Sequence, residues 1–236
     1  MARIVPLHPD QHSKLKVKDG AEFNLVEAEH IIPLVVHEFV AAATDMPIVF
    51  VKNSDTGQFQ AVAMLGVKPG ENVYVNDGKW LGMYVPAILS QAPFRLMPNS
   101  HNQDQLMLAI NEESELASSG EGELLFGDDG EPTEYLKKRQ KGVETFFEHN
   151  QVTQGFVALL AEMELLVERT LNIDVDGEKI NLSGVYFVDE EKLGSLSDEK
   201  FMDIKKRGFL PVIYAHLISL NQIRRLGQLK ADRARD

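Results

Sequence analysis

His216 and Ser219 stand three residues apart in an apolar run near the end of the chain. On a helix that spacing puts both on one face, where an imidazole beside a hydroxyl can act as base and nucleophile. No spacing singles out a carboxylate to orient them, and a buried imidazole more commonly just satisfies a hydrogen bond in the core. Tyr214, two residues before the histidine, is the further polar group an enzymatic site there would use. Trp80, Tyr84 and Pro86 make a second candidate, a rigid aromatic segment of the kind that anchors a ligand or a peptide; its structural alternative is a tryptophan filling the core behind a sheet. Arg95, beside Phe94 in a largely apolar stretch, is placed to receive a carboxylate or to form a structural ion pair.

Metal and nucleotide chemistry find less support. His30 and His37 are seven residues apart with Glu38 adjacent, but two helical turns separate them by about 10.5 Å, too far to grip one ion together. The segment His101 to Asp104 does not form a facial triad, and no H-E-x-x-H is present. Glu162, Glu164 and Glu168 read as a solvated stripe before they read as paired acids. The glycines at 120, 122, 127 and 130 match neither a P-loop nor a dinucleotide fingerprint, and their acidic neighbours would repel phosphate. No metal and no cofactor are expected.

These residues must be positioned by elements that the hydrophobic pattern outlines. The first twenty residues, rich in His, Lys and Pro, suggest a surface arm. Apolar positions from Ala28 to Thr44 recur at helical spacing. Pro47 to Lys52 and Gln58 to Gly66, joined by turn residues, predict a β-hairpin, with a third short strand at Val73 to Val75 ended by Asp77-Gly78. A short helix from Val85 to Ser90 precedes strands near Phe94 to Met97 and Gln105 to Ile110. The polar stretch from Asn111 to Pro132 reads as long exposed loops around Leu124 to Phe126.

Two helices are expected between Thr133 and Leu171, with a break near His149-Asn150. A hairpin over Ile173 to Ile180, a strand at Gly184 to Val188, and a short helix capped by Ser197 and ended by Gly208 follow. The last element, Phe209 to Leu226, is apolar on almost every side and so predicts a buried helix. The fold class is α+β: an antiparallel sheet from the N-terminal half packed on a helical C-terminal half with a buried final helix, in one domain over residues 1–236.

Composition narrows the partners. A formal net charge of −12 opposes polyanions and anionic membranes. The absence of cysteine removes disulfides, thiolate catalysis and cysteine-based metal sites. The N-terminus does not read as a cleaved leader, and no apolar run is long enough to span a bilayer, so a cytoplasmic location is expected.

Several segments together resemble the SapC family. Phe23-Asn-Leu-Val, His30 through Phe39 and Pro47-Ile-Val-Phe50 are similar to its N-terminal part, and Trp80-Leu-Gly-Met-Tyr-Val-Pro-Ala87 with Ala92-Pro-Phe94 to its middle. Gly122-Glu-Leu-Leu-Phe126, Gly130-Glu-Pro-Thr133, Phe187 through Leu193 and Ile213 through Leu220 continue the likeness. The chain departs from relatives at Leu89-Ser90-Gln91, where arginines are common, and at Ile110-Asn111, where Ile-Asp is usual. The resemblance implies an accessory or binding role, linked to outer-membrane uptake or to modification of peptides or amino acids, with a protein or peptide as partner. An enzyme acting on a peptide or amino-acid derivative through His216 is the second reading, and a structural component associated with a surface layer is the third. A pocket bringing together His216, Tyr214 and a carboxylate would favour the enzyme; a flat aromatic patch would favour binding.

Overall fold

The computed structural model describes residues 3–99, 102, 105–118, 120–175 and 178–233. His101, Asp104 and the turn at Asp176-Gly177 lie outside the described residues. The chain divides into two compact units, one formed by Met1–Phe23 with Ala87–Glu148 and the other by Asn24–Pro86 with His149–Asp236. The architecture is α+β, and among the described residues every paired strand is antiparallel.

In the second unit the β-branched run Ile48–Lys52 pairs with Phe59–Met64, as the pattern predicts. The turn between them is built by Asn53, whose side-chain oxygen accepts from the main-chain N–H of Asp55 and of Thr56 at 2.9 Å each. This hairpin is the centre of a five-stranded sheet in the order Leu166–Glu168, Val185–Val188, Ile48–Lys52, Phe59–Met64, Ile31–Pro33. The sheet is thus completed by two strands from the C-terminal half. Phe39, Phe50 and Phe156 are fully or almost fully buried against it, with Phe209 packed on Phe156.

The helix expected over Ala28 to Thr44 is instead the edge strand Ile31–Pro33, a 3-10 turn at Val36–Glu38 and one helical turn at Phe39–Ala42. Pairing of Ile31, Ile32 and Pro33 with Met64, Ala63 and Val62 outweighs the helical spacing, and Pro33, lacking an N–H, is tolerated on an edge strand. The short strand near Val75 forms a two-stranded ribbon, Val75–Asn76 with Lys79–Trp80, turned by Asp77 and Gly78, both at positive φ. The break expected at His149 is absent: Glu134–Glu162 is one continuous helix. The Thr153 hydroxyl bonds back to the His149 carbonyl at 2.7 Å rather than capping a new helix.

The final apolar run becomes two helices, Leu210–Ser219 and Gln222–Arg233. Their junction is marked by Asn221, whose side-chain amide takes the Ile218 carbonyl. The first of them lies on the strands Ile48–Lys52 and Val185–Val188 and buries Ile213, Ala215, His216 and Ser219, but it leaves Tyr214 and Ile218 exposed. It is therefore one-sided, not surrounded.

In the first unit, Ile4–Pro6, Leu106–Asn111 and Phe94–Pro98 form a three-stranded sheet. Lys16–Val17 pairs with both Ala117–Ser118 and Glu123–Leu124. The opening segment is consequently woven into the fold, with His12 and Val17 buried. Val17 joins Phe94, Ile110, Leu125, Phe126, Leu136 and Val143 in a common core, which ties down the middle of the stretch expected as loops. The short helix expected before Ser90 is a 3-10 turn at Leu89–Gln91, and the Arg139 guanidinium donates to the carbonyls of Ser90, Gln91 and Ala92.

Candidate functional site

His216 and Ser219 do share one helical face, but that face is the core. His216 is fully buried, its Nδ1 donating to the Ile48 carbonyl at 2.9 Å and its Nε2 accepting from the Val188 N–H at 3.1 Å. The Ser219 hydroxyl donates to the His216 carbonyl at 2.6 Å and accepts from the Ile48 N–H at 2.9 Å. Both side chains therefore satisfy strand backbone, and the hydroxyl is directed to main-chain groups. Burial lowers the imidazole from its ordinary 6.5 to about 4, the Ile48 bond opposing the shift. Tyr214, two positions away and so about 200° round the helix, is exposed. The trio does not converge.

Trp80 ends the small ribbon, half-buried Tyr84 and buried Pro86 lie on the loop that follows it, and this loop is held from behind by a largely buried polar network. The Trp80 indole N–H donates to the Tyr84 carbonyl at 2.8 Å, and its ring stacks on Tyr74 at 5.6 Å. The Tyr84 N–H donates to Asp45 Oδ2 at 3.0 Å, and its hydroxyl to Glu38 Oε2 at 2.7 Å. Asp45 is completely buried; its other carboxylate oxygen takes the Arg225 guanidinium, and its main-chain carbonyl accepts from Arg225 and from the Tyr74 hydroxyl. Glu38 Oε1 also accepts the Val35 N–H at 2.9 Å. Burial raises the phenols of Tyr84 and Tyr74, with Glu38 adding to the first and Asp45 to the second, so both stay donors at neutral pH.

Gly82 completes the arrangement. A Cβ there would stand 2.6 Å from Asp45 Oδ2 and 2.7 Å from Trp80 Nε1, so the carboxylate and indole can close on the loop only at a glycine. Either side of it Leu81 and Met83 point outward, 56% and 75% exposed. A loop with a fixed backbone and two apolar side chains in solvent can present a contact surface; its carboxylates are committed to holding it. Arg95 belongs to the other unit, exposed on the strand Phe94–Pro98.

Sequence reasoning singled out the aromatic loop but missed Asp45, Tyr74, Gly82 and Arg225. The available signal was Gly82 between two large apolar residues, since a glycine there must answer to a close approach. His37 does not meet His30 in a metal site; its ring stacks on His149. Among the described residues no group of three or more His, Asp or Glu is placed to hold a metal, and no helix is long and apolar enough to cross a membrane.

The chain is thus an α+β protein with a braced loop that carries half-buried Trp80 and Tyr84 and exposed Leu81 and Met83. A model of the SapC family matches residues 7–226, nearly the whole chain, and the chain belongs to that family. Comparisons with curated proteins and with solved structures found no match.

Proposed function

We propose that this SapC-family chain is a binding or accessory protein that engages a protein or peptide partner through the loop Trp80–Pro86. The observation that carries the reading is that a network of buried Glu38, Asp45 and Tyr74 and partly exposed Arg225 holds a loop on which Leu81 and Met83 face outward. Apolar side chains on a preordered backbone give up little conformational entropy on binding, which favours association. The enzymatic reading through His216 has less support, because both ring nitrogens are engaged by backbone and Tyr214 faces away. A cytoplasmic role beside uptake or peptide-modification systems fits the family resemblance and the acidic composition.

The test is a double variant, Leu81→Ser with Met83→Ser. Its side chains are solvent-exposed, so melting should be unchanged, while partners retained by the wild-type protein in native extracts and identified by mass spectrometry should be lost. A folded double variant that retains the same partners at the same yield would place the binding surface elsewhere.

A further inference from the structure

We propose that the stacked imidazoles of His37 and His149 act as a pH-sensitive latch on the Trp80–Pro86 loop, closed when the rings are neutral and released by acid. The inference rests on the reading of that loop as the binding surface, and it concerns how that surface is regulated.

The two rings lie face to face, with centroids 3.5 Å apart and planes 11° from parallel. Parallel planes at this separation direct the nitrogen lone pairs into different planes, so the arrangement suits stacking and not chelation of one ion. Neutral imidazoles stack; two imidazolium rings at that distance place like charges face to face. His37 is exposed, and it is held below the ordinary imidazole value first by the desolvation that remains to it and then by the charge of His149.

The surrounding titratable groups do not relieve that repulsion. Glu38, next to His37, turns inward to the Val35 N–H and the Tyr84 hydroxyl. Tyr84 is a neutral donor, and Glu148, the carboxylate beside His149 in the chain, is exposed. On the helix Leu210–Ser219, which packs on Phe39–Ala42, His216 has both ring nitrogens directed at Ile48 and Val188, and Tyr214 is exposed.

The stack is joined to the loop by consecutive hydrogen bonds. His37 sits in the turn Val36–Glu38, whose Val36 N–H donates to Thr153 Oγ1 at 2.9 Å. That hydroxyl donates to the His149 carbonyl at 2.7 Å, so the stack and this bond fasten the turn to the long helix at neighbouring points. The last residue of the turn, Glu38, accepts the Tyr84 hydroxyl at 2.7 Å, and Tyr84 in turn accepts the Trp80 indole N–H on its carbonyl. Parting the rings removes one of the two fastenings of the turn, leaving the Val36 bond to Thr153, and the turn carries the carboxylate that braces the loop. Because the closed state prefers the neutral rings, it is complete above pH 6.5 and is lost as the pH falls through the lowered His37 value.

Trp80 is the chain's only tryptophan and reports the loop directly. Emission of the full-length protein is followed from about pH 7.5 to about pH 5, with far-ultraviolet circular dichroism confirming that the fold persists. The expected result is a red shift of wild-type emission with a midpoint below pH 6.5. It should be absent from His149→Phe, which keeps a ring in the stack without a titrating nitrogen and should match wild-type emission at neutral pH, and from His37→Gln, which removes the stack and should show red-shifted emission at every pH. A wild-type protein with no shift, or a shift that persists in both variants, overturns the latch. The readout needs no partner: a latch that titrates as expected beside a Leu81/Met83 variant that still binds would leave the latch standing and refute the binding surface.

Discussion

A histidine that donates from one ring nitrogen and accepts at the other must be neutral, since imidazolium has two donors and no acceptor. His216 does this between Ile48 and Val188, at the join between two strands of the central sheet. With a folded value of about 4 against an ordinary 6.5, the folded state resists protonation over that interval. Stability from this residue is therefore full above pH 6.5 and is lost as the pH falls toward 4, by on the order of 3 kcal/mol. Urea denaturation at a series of pH values should show this decline. His216→Gln should be less stable than wild type at neutral pH and lack the histidine's share of the acid sensitivity. An unchanged pH profile in that variant would show that His216 does not titrate as its burial implies. The same geometry explains why the His216/Ser219 spacing was legible as a shared face with a core histidine, but not which groups it would clasp: the backbone groups they satisfy lie far away in sequence.

At the scale of elements, the aromatic loop depends on the absence of a side chain at Gly82. Gly82→Ala would drive a methyl against the buried Asp45 carboxylate and the Trp80 indole, costing about 1–3 kcal/mol through overpacking and a displaced loop. Denaturant melts and Trp80 emission should both move, and an alanine variant with wild-type stability and emission would mean that the loop is not gripped as described. Helical spacing failed over Ala28 to Thr44 for a reason of the same scale. A period in the sequence reports a face only after an element type is chosen, and the edge of the sheet offered Ile31–Pro33 a set of partners that an isolated helix lacked. Conversely, the hairpin Ile48–Met64 was legible because its turn chemistry and its β-branched strands are local and agree.

For the whole molecule, a formal net charge of −12 sets the long-range field, whatever the local network does. The protein should pass unretained through immobilised heparin or DNA at physiological salt. Retention that weakens steeply with added salt would reveal a basic surface outweighing the net charge. The bond from Arg225 to Asp45 illustrates how cations near the chain end are used within the second unit: this one neutralises a carboxylate that is fully buried.

From the sequence alone came the α+β class, the hairpin and most later strands, the lack of cysteine chemistry, the acidic field, the family resemblance and the choice of Trp80, Tyr84 and Pro86. Each of these is written in composition, in short-range period or in residues near one another in the chain. Only the tertiary structure decided that Ser219 and His216 serve the backbone of a distant strand, that Tyr214 and Ile218 stay in solvent, that His149 sits in an unbroken helix against His37, and that Arg225 reaches Asp45. Those outcomes depend on desolvation and on pairing between residues far apart in sequence, and periodicity carries no information about which distant groups will meet.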